Sequence, residues 1–230
     1  MKKQILIVAS AALFASSAIA NGHLELAREL LSEVTPDHNS YAYNGWVRWK
    51  GDRVLFFEAT ASEVRTDCSG LIDALLDRAH SETFDIIKSK TLWRKYPKAE
   101  NYYQAIQEGL GFERRTVINS ATPGDIIALR YPNASDTGHV MLVDDFPQQI
   151  EPHPPILPDT LQWAVSIIDS TATPHSDTDT RFATKATGIG RGDIRIYTDL
   201  SGVPVGYAWG IYKTKVYRTD QRPLAIGKPY

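Results

Sequence analysis

The hydrophobic pattern divides the chain into a helical first half and a stranded second half. Leu24, Ala27, Leu30, Leu31 and Val34 fall on one helical face, while Glu25, Arg28, Glu29 and Glu33 lie elsewhere, so residues 24–34 read as an amphipathic helix that Pro36 ends. Leu71, Ile72, Leu75, Leu76 and Ala79 recur at the same spacing and predict a second helix that begins beside Cys68. Residues 100–108 read as a third, stopped by Gly109 and Gly111. Residues 53–58 read as a short strand or buried run.

Beyond the turn at Thr122-Pro123-Gly124-Asp125 the period shortens to that of strands. Strands are expected over 126–129, 138–144, 163–168, 193–197 and 207–213. Residues 147–158 carry five prolines and read as an irregular surface loop, and residues 171–187 as a polar one. Residues 222–230 read as a polar surface tail. Helices followed by antiparallel strands make an α+β layout.

The first twenty residues change this picture. Lys2 and Lys3 precede an apolar run, and Ala18-Ile19-Ala20 has the small residues of a cleavage site, which is the pattern of a secretory signal peptide over 1–20. The apolar run is too short to span a bilayer, so no stable membrane insertion is expected. Residues 21–230 would then form one domain, and the chain would be exported to the periplasm or the medium. The formal charge of −2 becomes about −4 once Lys2 and Lys3 leave, which gives nucleic acid no basic surface to bind.

One cysteine, Cys68, rules out an internal disulfide. A helix start offers unpaired N–H groups and the positive end of the dipole, which favour a thiolate and could hold an oxyanion. The alternative is a buried structural thiol. His139 begins one predicted strand and Asp169 ends the next. If the two strands pair antiparallel, imidazole and carboxylate meet at one sheet edge, where a packed helix could present Cys68. Cys68 would attack a carbonyl, His139 would shuttle protons and Asp169 would orient the ring. His175, with Asp177 and Asp179, suggests a metal only weakly, because no second histidine stands at ligand spacing, and no metal or cofactor is expected. His153 reads as exposed, and His23, His38 and His80 show no partner pattern.

Three motifs resemble the NlpC/P60 cysteine peptidases. They are Asp67-Cys68-Ser69-Gly70-Leu71, Pro123-Gly124-Asp125-Ile126 and Gly138-His139-Val140-Met141-Leu142-Val143, in that family's order. The resemblance implies a papain-like fold and hydrolysis of peptidoglycan stem peptides beside a γ-D-glutamyl residue. It implies Cys68 as nucleophile, His139 as base and Asp169 as the polar third residue. It also implies substrate contacts from Asp67, Ser69 and, upstream of the cysteine, Tyr43. The chain departs from the family in the distance between Tyr43 and Cys68, in the proline-rich loop and in about sixty residues of further strands after Asp169. The same Cys–His–Asp order also suits an amidase, an acyltransferase or transglutaminase-like chemistry, and a non-catalytic secreted binding module is the reading from another class.

Overall fold

The computed structural model describes residues 22–91 and 96–230. The leader expected over 1–20 lies outside them. The chain is α+β. Among the described residues four α-helices, α1 (Gly22–Glu33), α2 (Cys68–Ala79), α3 (Ser81–Ser89) and α4 (Ala99–Glu108), occupy the first half. Between α1 and α2 lie β1 (Asn39–Ser40), β2 (Trp46–Arg48), β3 (Arg53–Val54), β4 (Phe57–Glu58) and β5 (Glu63–Arg65). The second half holds β6 (Phe112–Arg115), β7 (Ile126–Arg130), β8 (Gly138–Val143), β9 (Gln148–Ile150), β10 (Leu161–Thr171), β11 (Gly188–Thr198), β12 (Pro204–Ala208), β13 (Tyr217–Arg218) and β14 (Leu224–Pro229).

The main sheet runs β13-β12-β11-β10-β8-β7-β14-β6, with β9 paired to β10, and its pairings are antiparallel. Alternation along the strands sends side chains into two cores. Ile126, Ala128, Val140 and Leu142 meet Leu71, Leu75, Tyr102 and Ile106 from α2 and α4. Ile127, Leu129, Met141 and Val143 face the other way, toward Val165, Ile194, Ile196 and Tyr207. Each fully buried Ile or Leu contributes about 1.5–3 kcal/mol. The buried stripe that periodicity assigned to the second helix is therefore what sets α2 across the sheet. Asp73 in that stripe is buried too, and Tyr102 donates to it at 2.6 Å, tying α2 to α4.

Several expectations are corrected. Residues 222–230 are no surface tail: β14 lies between β7 and β6, with Ala225 and Ile226 buried. Gly227 and Pro229 disguised it, although Leu224, Ala225 and Ile226 form a short core run. Residues 53–58 are not buried. They form the hairpin β3–β4, whose Leu55, Phe56 and Phe57 are 88, 101 and 59% exposed. The proline-rich loop contains β9 and is pinned from below. Gln162 bonds both backbone groups of His153 at 2.9 Å, and the buried Arg195 donates to its carbonyl at 3.0 Å, so His153 is half-buried.

His23 and His80 do have partners. Their rings bond to each other at 2.9 Å, while His23 also contacts the Gly124 carbonyl and His80 the Tyr230 carbonyl, each at 2.6 Å. The pair joins the start of α1 and the α2–α3 junction to the sheet. Burial lowers His23 to about 4, against the pull of the Gly124 carbonyl, and His80 and Lys228 add to the lowering. The protonated ring is thus disfavoured in the folded state. The contribution to stability is complete above the unfolded value near 6.5 and is lost as pH falls from there through about 4. At about 1.4 kcal/mol per unit the loss is on the order of 3 kcal/mol. Urea unfolding at pH 7 and pH 4 should show the wild type losing more stability than His23→Gln; equal losses would mean that His23 is not the titrating group.

Candidate functional site

The site is assembled where the start of α2 meets the ends of β8 and β10. β5 leads into Thr66 and Asp67, and Asp67 caps α2 by accepting from the Gly70 N–H at 2.7 Å. Such a cap contributes about 1 kcal/mol. Asp67 also accepts from the Ser69 hydroxyl at 2.9 Å and from Lys98 Nζ at 3.0 Å. A side chain at Gly70 would meet Thr66 Oγ1 at 2.0 Å, so glycine is required for this tight entry into the helix. Ser170 Oγ donates to the Thr66 carbonyl at 2.6 Å and staples the end of β10 to that entry.

β8 and β10 pair antiparallel, with Ile167 opposite Val143 and Ile168 opposite Leu142. Asp169 follows Ile168 and His139 precedes Leu142 by three residues, so both stand at one end of the pairing. Gly138, at φ +145°, lets β8 begin close to β7: a Cβ there would lie 1.9 Å from the Leu129 carbonyl oxygen. His139 Nε2 donates to Asp169 Oδ2 at 2.5 Å, and the same ring lines one cavity with Cys68. With Nε2 engaged by the carboxylate, Nδ1 is the nitrogen left for sulfur. The structure thus brings Cys68, His139 and Asp169 together.

Burial alone would lower the basicity of His139. Negative charge at Cys68 and the Asp169 carboxylate overcome it and raise the ring to about 10. Asp169 has no exposed surface, and burial alone would raise its carboxyl. His175, His139 and Arg181 reverse that and hold it well below the usual carboxylate range. His175 Nε2 donates to the same Oδ2 at 2.7 Å, and Arg181 Nη2 donates to Oδ1 at 2.9 Å. Arg181 is itself buried and also bonds Asp179 and the Gly188 carbonyl. Trp209 closes the group, stacked on His175 at 4.9 Å and edge-on to His139 at 5.2 Å.

His175, Arg181 and Trp209 were not assigned to the site from sequence. Polar residues without periodicity make residues 171–187 read as a polar loop. Within it His175, Asp179 and Arg181 are buried and grouped around the Asp169 carboxylate, while Asp177, Thr178, Thr180 and Lys185 are exposed. The available signal was a histidine followed at four and six residues by Asp179 and Arg181 in a segment with little else to organise it.

Ring nitrogens and a carboxylate oxygen of His139, Asp169 and His175 lie within 4.8 Å of one another and could in principle offer three metal ligands. The donor set does not fit that role. Both Nε2 atoms carry protons directed at one oxygen, and the Arg181 guanidinium already neutralises the carboxylate.

A cavity of about 370 Å³ exposes Cys68 and His139 between Tyr41, Tyr43, Asp67, Lys98 and Asp136, and Ser69 also lines it. A second, of about 500 Å³, continues past His139 along Tyr131, His175, Trp209 and Tyr217 to Lys213 and Lys215. Tyr43 lies on the wall of both, mostly exposed. Tyr41 is the more enclosed neighbour of Cys68. Burial, a hydrogen bond with Tyr43 and the negative charge of Cys68 all raise its phenol above the usual range.

The chain is 33% identical over 224 residues to the uncharacterized protein R653 of Acanthamoeba polyphaga mimivirus, an alignment that covers 88% of this chain and 93% of R653. It belongs to the same family as R653. No family model matches the sequence. The solved structure of the wild type endolysin LysIME-EF1 is a distant likeness, with a TM-score of 0.37 and 16% identity; it covers 84% of this chain, which spans 65% of that one. A likeness at that level carries no argument.

Asp169→Asn removes one of the groups that keep His139 charged. NMR titration of the imidazole nitrogens should place His139 below the wild-type value of about 10. An unchanged titration would mean that the carboxylate does not act on the ring.

Proposed function

We propose that the chain is an exported thiol hydrolase of papain-like, NlpC/P60-type architecture that cleaves amide bonds in the peptide stems of peptidoglycan. The observation that carries the reading is the His139 ring, bonded through Nε2 to a buried carboxylate at 2.5 Å and lining one cavity with Cys68, which stands at a helix start. Cys68 Sγ attacks the amide carbonyl carbon. The oxyanion sits against the first N–H groups of α2; among the described residues the Gly70 N–H is taken by Asp67, and those of Cys68 and Ser69 are the ones at hand. The C–N bond breaks as imidazolium His139 gives its proton to the leaving amine. Water then attacks the thioester, His139 takes its proton, and the acid and the thiolate are released.

The cleft suits a substrate carrying both amino and carboxylate groups. Asp67, paired with Lys98, lines the part beside Cys68, Asp136 faces both parts, and Lys213 and Lys215 line the part beyond His139. Stem peptides carry both kinds of group. Export follows from the leader pattern of residues 1–20 and would bring the enzyme to such a substrate.

Purified peptidoglycan treated with the protein should yield new fragments ending at one stem-peptide bond, detectable by mass spectrometry and absent with Cys68→Ala. His139→Ala should lower the rate by about 10²- to 10⁴-fold, the usual contribution of a general base. Fragments from the Cys68→Ala control would sink the thiol mechanism. No fragments from a wild type whose thiol still alkylates quickly would move the substrate to another amide or acyl compound.

A further inference from the structure

Asp169 Oδ2 accepts two imidazole N–H groups, and the proposed hydrolysis uses only one of them. His175 supplies the second, at 2.7 Å, from a ring that is 5% exposed and held parallel to Trp209 at an interplanar angle of 11°. The backbone of the same residue is fixed as well, because its N–H donates to Asp179 Oδ2 at 3.0 Å. Asp179 in turn binds Arg181 through both oxygens, and Arg181 holds Asp169 Oδ1. Each Asp169 oxygen is therefore gripped from the 172–187 loop before His139 contacts it.

A carboxylate bound only by His139 could rotate about its Cβ–Cγ bond and carry the imidazole with it. Arg181 on one oxygen and His175 on the other remove that freedom. We propose that His175 is a positioning residue which, with Arg181, fixes the plane of Asp169 so that the free nitrogen of His139 faces Cys68. This rests on Cys68 and His139 being nucleophile and base. It goes beyond that reading by assigning a role to a second histidine that touches neither the sulfur nor the reacting bond.

Two substitutions separate the N–H from the ring. His175→Phe keeps a ring for Trp209 and lacks the donor. His175→Gln loses the ring, but its amide nitrogen reaches the place of Nε2. The readout is the rate of Cys68 alkylation by iodoacetamide at pH 7, which needs no substrate. Alkylation should be about 10-fold slower in His175→Phe, as expected of a small misplacement of a reacting group, and within about 2-fold of wild type in His175→Gln. A His175→Phe protein that reacts like wild type overturns the proposal. So does equal slowing in both variants with native circular dichroism, since the stack on Trp209 would then be what matters. If either variant fails to fold, imidazole NMR of the wild type decides: the His175 Nε2–H signal should shift when Cys68 is alkylated, and an unmoved signal overturns the proposal. Fast wild-type alkylation without cleavage of wall peptides would sink the substrate reading and leave this one standing.

Discussion

A carboxylate with no exposed surface is the constraint on which the rest of the site depends. Burying the charge of Asp169 is costly unless it is paired and hydrogen-bonded on every side. Arg181, His175 and His139 meet that demand together. Loss of the Arg181 cation would leave the buried charge uncompensated, at a cost of about 3–5 kcal/mol. His175, Asp179 and Arg181 of the connecting loop are therefore buried like the strands it joins. Its order comes from charge rather than from apolar burial.

That distinction explains what was legible in the sequence. Leu71, Ile72, Leu75 and Leu76 announced α2 because one apolar face at helical spacing has few other uses. Cys68 stood out by being alone, and His139 by opening an alternating strand. Asp169 was reachable because antiparallel pairing brings the start of one strand to the end of its neighbour. His175 and Arg181 were not, since polar residues in a loop carry no periodicity and their partner is distant in the chain. The hairpin β3–β4 misled for the opposite reason. Arg53-Val54-Leu55-Phe56-Phe57-Glu58 has the composition of a core segment, yet its turn leaves the apolar side chains in solvent.

The cap on α2 joins two roles in one side chain. Asp67 satisfies Gly70, receives Ser69 and binds Lys98, and it also lines the cavity beside the sulfur. The residue that lets the helix begin is thus also a wall of the cleft. This couples the placement of Cys68 to the shape of its surroundings. The family shared with R653 has no activity in its name, so the functional reading stands on this geometry.

The position of β14 bears on how the molecule comes into being. β6 and β7 are neighbours in sequence, yet each finds its partner in β14, about a hundred residues later. Neither edge of that gap can close while the chain is still emerging from the ribosome. The helical layer can form early, but the sheet beneath it stays divided until residues 224–229 arrive. A polypeptide built this way holds off its final structure until synthesis is nearly complete.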